Sequence, residues 1–71
     1  MSGNDLTIHV NGEQRSVDTA LSLLDLLETL ELDPRTVVVE LNREIVRHPA
    51  LRDTTLKEGD RVELVHFVGG G

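Results

Sequence analysis

The residues best suited to chemistry stand at the C-terminus, where Val68 is followed by Gly69, Gly70 and Gly71. At an average glycine frequency of about 7%, three glycines occur at a given place about 3 times in 10,000. Glycine has no Cβ, so such a segment can enter a narrow channel that excludes other residues. We expect a tail with a selected role, unless it is a frayed end or the remnant of an expression tag.

The chemistry of this tail is that of the α-carboxylate of Gly71, which we expect to be free. A carboxylate is a poor electrophile at neutral pH, but an ATP-dependent partner can convert it to an acyl adenylate. A sulfur donor can then displace AMP and leave a thiocarboxylate, which is a soft and strong nucleophile. From Phe67, four extended residues reach at most ~14 Å, which is enough to pass the last carbonyl into a partner's active site.

The composition argues against a self-sufficient enzyme. The 71 residues suffice for one small domain with a thin core, and there is no cysteine for disulfides, thiolate zinc sites or covalent catalysis. Acidic side chains outnumber lysine and arginine by 13 to 7, and the only aromatic residue among Phe, Trp and Tyr is a single phenylalanine. Nucleic acid is therefore not an expected ligand. The acidity favours solubility or a partner with a basic docking surface.

Nothing in the sequence predicts targeting or membrane insertion. No apolar run approaches the ~20 residues needed to span a bilayer. Residues 1–5 lack the basic and apolar regions of a signal peptide. We therefore expect a cytoplasmic protein that contacts no membrane.

The first half of the chain predicts a hairpin. Leu6–Val10 alternates between apolar and polar side chains, as a half-buried strand does. Asn11-Gly12 then signals a tight turn, because both turn positions require positive φ. Glu13–Val17 is the expected return strand.

A helix is predicted after the hairpin. Ser22 is a candidate N-cap, with Asp25 three residues later as its capping-box partner. Leucines at helical spacing form one apolar face, and we expect the helix to end before Asp33-Pro34. The leucines of that face are Leu23, Leu26, Leu27 and Leu30.

The second half of the chain predicts three strands. Val37–Leu41 is rich in β-branched residues, and a turn at Asn42-Arg43 leads to a short return strand at Glu44–Val46. Arg47–Glu58 shows no sustained period, and Arg61–Phe67 is the final strand.

The order of these elements, ββαβββ, is that of the β-grasp fold, in the α+β class. In this fold, a mixed sheet of four to five strands packs on one helix, and the last strand lies beside the first. We expect a β-grasp domain over residues 1–67 and a flexible C-terminal glycine tail over residues 68–71.

The last seven residues, Val65-His66-Phe67-Val68-Gly69-Gly70-Gly71, run from the end of the final predicted strand into the glycine tail. Over this stretch, the sequence most strongly resembles the ThiS-type sulfur carriers of thiamine biosynthesis, which belong to the ubiquitin-like MoaD/ThiS family. Val37–Val46 resembles the middle hairpin of that family, and Val10-Asn11-Gly12 its first turn. The resemblance covers nearly the whole chain, and we interpret only residues 1–5 and 47–55 as unconstrained.

This resemblance implies a carrier and protein substrate, not an enzyme. A ThiF-type adenylating enzyme would activate Gly71 with ATP, and a sulfur donor protein would complete the thiocarboxylate. A ThiG-type thiazole synthase would then accept the sulfur. Gly69 and Gly70, with Val68, would thread the partner's channel, and the chain itself would bind no cofactor.

Three other functions remain open at this point. The first is the small subunit of molybdopterin synthase, which uses the same thiocarboxylate chemistry. The second is a ubiquitin-like modifier of protein lysines, for which Lys57 would be the only attachment point on the chain itself. The third is a β-grasp binding module whose glycines have no role.

Alternation along the last strand predicts a docking patch for the activating partner. Val65 and Phe67 share the outward face just before the tail, while Val62 and Leu64 face the core. The alternative is that Val65 or Phe67 folds back into the edge of the core. The predicted patch consists of Val65, Phe67, Val38 and Glu40.

The histidines do not predict a metal site. They form no paired ligand motif, and the chain has no cysteine to support them. We expect surface positions for all three, which are His9, His48 and His66.

Overall fold

The structure is a computed structural model that describes residues 5–66. The strands in this range are β1 (Asp5–Val10), β2 (Glu13–Asp18), β3 (Val37–Leu41), β4 (Glu44–Val46) and β5 (Arg61–His66). The α-helix, α1, spans Leu23–Thr29. Single turns of 3-10 helix occupy Pro34–Thr36 and His48–Ala50.

The strands form one mixed sheet in the order β2-β1-β5-β3-β4. β1 and β5 are parallel, and every other neighbouring pair is antiparallel. α1 covers one face of the sheet, and its residues Leu23, Leu26 and Leu27 are fully buried against it. The predicted β-grasp fold is therefore confirmed, with the last strand at the centre beside the first.

The predicted capping box at the start of α1 is confirmed. The Asp25 backbone N–H donates to the Ser22 hydroxyl at 3.1 Å, and the Ser22 N–H donates to the Asp25 carboxylate at the same distance. A helix leaves its first backbone N–H groups without intrahelical partners. The capping box satisfies two of these donors, the N–H groups of Ser22 and Asp25, and fixes where the helix begins.

The segment between β4 and β5 satisfies two more of these donors. The Leu23 N–H donates to the Thr54 carbonyl at 2.9 Å, and the Leu24 N–H donates to the Leu51 carbonyl at 3.2 Å. Leu51 and Leu56 are each only 2% exposed and belong to the core. The interpretation of residues 47–55 as unconstrained is therefore wrong, because this segment closes the core around the start of α1.

The helix ends earlier than the sequence predicts. Its last residue is Thr29, and Glu31 adopts a left-handed conformation with φ of +61°. The Leu32 N–H donates to the Leu27 carbonyl at 2.9 Å, which completes a Schellman motif. Pro34 does not stop the helix but begins the following 3-10 turn.

Two asparagine side chains hold β5 from both sides. Asn11 accepts from the Leu64 N–H at 2.7 Å and donates to the Leu64 carbonyl at 3.3 Å. Asn42 accepts from the Arg61 N–H at 3.0 Å and donates to the Asp60 carboxylate at 3.1 Å. Both asparagines have positive φ in tight turns, at 50° and 52°. The same residues thus reverse the chain and fasten the central strand.

We predict that Asn11→Gly lowers the free energy of unfolding by about 1–3 kcal/mol, because it removes both hydrogen bonds to Leu64. Glycine keeps the positive φ of the turn, so backbone strain does not contribute. Urea denaturation measures the stability, and amide hydrogen exchange should show faster exchange at Leu64. The matched variant Asn42→Gly should instead deprotect Arg61. If both the urea midpoint and the amide exchange of Leu64 are unchanged in Asn11→Gly, the Asn11 side chain does not stabilise β5.

We predict that Glu31→Gly stabilises the protein by about 1 kcal/mol, because a left-handed conformation costs an L-residue about 1–2 kcal/mol. Thermal or urea unfolding measures the change. The control is Glu28→Gly, at an exposed position inside α1, which should destabilise by about 1 kcal/mol through loss of helix propensity. Effects of the same sign in the two variants would show that the Schellman geometry is not the cause.

Candidate functional site

The central strand of the sheet, β5, is the last strand before the glycine tail in the sequence. β5 ends at His66, which lies opposite Val37 at the beginning of β3. The predicted docking residue Phe67 lies outside the described residues. So does the whole predicted tail, which consists of Val68, Gly69, Gly70 and the predicted reactive residue Gly71. The described part of the site is therefore the surface that surrounds the end of β5.

The predicted docking residues within the described range lie together on the sheet face opposite α1, here called the outer face. Val65 is 54% exposed and pairs with the half-buried Val38 on β3. Glu40 lies on the same face and pairs with Glu63. The alternative in which Val65 folds back into the core is wrong, whereas the docking role of these residues stays a prediction.

Ile45 extends this apolar surface and was not predicted as part of it. It pairs with Glu40 across β3 and β4, so it lies diagonally beside Val38, and it is 63% exposed. The signal was present in the alternation of β4, since Val46 pairs with the buried Val39 and the preceding residue must point outward. The docking face, as used below, comprises Val38, Glu40, Ile45, Glu63 and Val65.

The two carboxylates of the docking face carry like charges on directly opposed residues. Such a cross-strand pair is destabilising unless a cation lies nearby. Within residues 5–66, neither Glu40 nor Glu63 forms an ion pair. The nearest cation along β5 on this face is Arg61, two residues before Glu63. The pair therefore favours the approach of a positively charged group from outside.

Asp33 and Arg35 form an ion pair just before β3. The Arg35 guanidinium donates to the Asp33 carboxylate at 3.0 and 3.2 Å, and the Arg35 backbone N–H adds a third bond at 2.9 Å. These hydrogen bonds hold the pKa of Asp33 below its usual value and raise the pKa of Arg35. Arg35 therefore stays charged and is held at the tail end of the sheet.

The histidines do not converge. His48 and His66 are exposed, whereas His9 is half-buried on the outer face, and its Nδ1 has no hydrogen-bond partner among residues 5–66. The described range contains no group of three side chains arranged to hold a metal ion. It also contains no helix long and apolar enough to cross a membrane.

Comparison with known sequences gives a family and two kinds of relative. The chain matches the ThiS family over residues 8–71. It is 40% identical over 50 residues to the sulfur carrier protein ThiS of Bacillus subtilis, covering 70% of this chain and 76% of that protein. It is 38% identical over 66 residues to the thiazole synthase of Magnetococcus marinus, covering 93% of this chain. The chain spans only 20% of the length of that synthase.

Comparison with solved structures gives the same family. The crystal structure of the thiamine biosynthesis protein ThiS from Geobacter metallireducens matches with a TM-score of 0.80 and 39% sequence identity. The match covers 93% of this chain and 100% of the Geobacter chain. The family match includes both the β-grasp sheet and the glycine tail, and the chain therefore belongs to the ThiS family.

Proposed function

We propose that this protein is a sulfur carrier whose Gly71 is adenylated and converted to a thiocarboxylate, which donates sulfur for thiazole formation in thiamine biosynthesis. The observation that carries the proposal is the family match, which runs from residue 8 to Gly71. The glycines belong to the matched pattern, which argues against a frayed end or a tag remnant. The similarity to a named sulfur carrier and to a thiazole synthase supports the same chemistry.

In the proposed reaction, a carboxylate oxygen of Gly71 attacks the α-phosphorus of ATP and releases pyrophosphate. A sulfur nucleophile equivalent to hydrosulfide then attacks the acyl carbon of the adenylate and displaces AMP. The product is the thiocarboxylate of Gly71, with sulfur in place of one oxygen. The carrier contributes the carboxylate and its presentation, whereas ATP is bound by the activating partner. The carrier is thus a protein substrate and holds no cofactor.

The fold suits this role because the reacting group must travel into other proteins while the body stays outside. β5 is paired with β1 at its beginning and with β3 from Val62 as far as His66, so β3 anchors its end. Five residues follow His66 in the sequence. When extended they reach at most ~17 Å, which is enough to carry Gly71 into a buried active site. Gly69 and Gly70, with Val68, would thread the channel.

The docking face lies beside the start of this arm and suits the recognition of a ThiF-type adenylating enzyme. Val65, Val38 and Ile45 provide an apolar centre, and exposed apolar residues bordered by charges are typical of protein-binding surfaces. Glu40 and Glu63 add two negative charges that a basic partner surface would neutralise. Phe67, the next outward position along the strand direction, is proposed as a further anchor.

A ThiG-type thiazole synthase is the proposed acceptor, and a sulfur donor protein is the proposed source. The similarity of this chain to part of a thiazole synthase favours this destination over molybdopterin synthase. Activation consumes ATP, which fits the cytoplasm as the proposed location.

Intact mass spectrometry tests the central proposal. After incubation with the adenylating enzyme, ATP and a sulfur donor, we expect a mass gain equal to the difference between sulfur and oxygen. Fragmentation should place the gain at Gly71, because the tail would carry only the terminal carboxylate into the active site of the adenylating enzyme. A variant that lacks Gly70 and Gly71 should show no gain. Full carrier activity in this truncated variant would refute the proposal.

We predict that Val65→Asp raises the KM for the carrier in adenylation by about tenfold or more, with kcat little changed, because it places a charge at the apolar centre of the docking face. Val65 is already exposed, so the variant should fold, as urea denaturation can verify. ATP–pyrophosphate exchange measures both kinetic constants.

The control for this prediction is Ser16→Asp. It adds the same charge to an exposed position on the same sheet face, but on β2, two strands away from β5. Its KM should stay near the wild-type value. A folded Val65→Asp variant that is adenylated with the wild-type KM would exclude Val65 from the docking contact.

A further inference from the structure

The cationic residues of this acidic chain are concentrated in one segment. Residues 35–52 contain four arginines and only two acidic residues, although acidic side chains outnumber lysine and arginine by 13 to 7 in the whole chain. The remaining basic side chains are spread over the other parts of the sequence. The four arginines are Arg35, Arg43, Arg47 and Arg52.

Two arginines and one histidine of this segment line one groove. The groove has a volume of about 450 Å³. It lies beyond the end of β4, beside the first residues of β3, which β4 does not reach. Arg35, Arg47 and His48 line it together with apolar residues that include Val38 and Ile45. A second hollow, of about 380 Å³, shares His48 and adds Arg52. No acidic side chain lines either of them.

The positive charge of this groove is only partly compensated. Arg35 is paired with Asp33, but Arg47 and Arg52 form no ion pair with any residue in the range 5–66. Arg47 stands at the N-cap of a 3-10 turn without making a side-chain capping bond, and both arginines are exposed. These side chains hold no part of the described fold together, so they are available to an external anion.

The groove lies close to both the end of β5 and the docking face. It is lined by Val37, which pairs with His66 at the end of β5. It also shares Val38 and Ile45 with the docking face. These two residues, here called the shared seam, therefore have the Glu40–Glu63 pair on one side and the arginine-lined groove on the other.

We infer that this groove binds an acidic surface segment of the thiazole synthase that accepts the sulfur, and that the adenylating enzyme does not use it. The inference rests on the proposed function, which supplies two successive partners for one arm. A partner surface that complements Glu40 and Glu63 is basic, and the same surface would be repelled by Arg35 and Arg47. The positively charged groove therefore suits the thiazole synthase.

A consequence follows from the shared seam. Both partners would cover Val38 and Ile45, so they cannot bind one carrier molecule at the same time. The carrier must leave the adenylating enzyme before it engages the synthase, and opposite charges on the two sides of the seam separate the two recognition events.

The test is Arg47→Glu, assayed against both purified enzymes with the full-length carrier. We expect the Kd for the thiazole synthase, measured by calorimetry, to rise about tenfold, and the effect to shrink at high salt. The KM for the carrier in ATP–pyrophosphate exchange should change less than about twofold. Arg47→Glu combined with Arg52→Glu should increase the loss of synthase binding. Excess synthase should also inhibit the exchange reaction of the wild-type carrier competitively.

The matched control is Lys57→Glu, which makes the same charge change in the exposed turn before the start of β5, at the other end of that strand. It should leave both constants near wild type. Equal losses against the two enzymes, or unchanged synthase binding in the double variant, would overturn the inference. A wild-type carrier that is never adenylated, or that does not bind the synthase, would instead count against the proposed function. A wild-type carrier that does both, with unchanged synthase binding in the double variant, would overturn the inference alone.

Discussion

The rest of the structure depends on the position of β5 at the centre of the sheet. We propose that β5 ends in a functional arm, and such a strand must not fray. β3 pairs with β5 from Val62 to His66, β1 pairs with it at Arg61 and Val62, and the side chains of Asn11 and Asn42 add bonds at Leu64 and Arg61. A partner that held or pulled the arm would therefore act on a strand that is paired with β3 as far as His66.

The two faces of this strand meet opposite demands. Val62 and Leu64 are buried against the helix, whereas Val65 is left exposed and Glu63 stands opposite another glutamate. The inward residues follow the ordinary rule of apolar burial. The outward ones do not, because a cross-strand pair of like charges costs about 0.2–1 kcal/mol. Such departures from local stability are expected where a surface is shaped for a partner.

Features with short-range causes could be predicted from the sequence. The Asn-Gly turn, the Ser22–Asp25 capping box and the alternation of the last strand each depend on residues close in the chain, and the structure contains all three. Features with long-range causes could not. Leu51 and Leu56 belong to no periodic segment, yet they are core residues because the chain folds back over the start of α1.

Two local features were also missed, for a different reason. The helix ends at a left-handed Glu31, a position where glycine is usual, so the sequence carries no signal for the Schellman motif. The outward direction of Ile45 follows from the register of β4 with β3, and a three-residue strand is too short for its alternation to be convincing on its own. Of the docking face, Val38, Glu40 and Val65 were therefore predicted, whereas Ile45 and Glu63 were not.

The proposed overlap of the docking face with the groove would be useful to a carrier that serves two enzymes in turn. If the two surfaces were separate, one carrier could hold both enzymes at once, although its single tail can enter only one active site at a time. The second enzyme would then be occupied without reacting, which would lower the turnover of the transfer. Sharing Val38 and Ile45 prevents this complex, while the opposite charges beside them still allow each partner to be recognised. Surfaces that share residues on a chain of this size would thus ensure that the carrier engages one enzyme at a time.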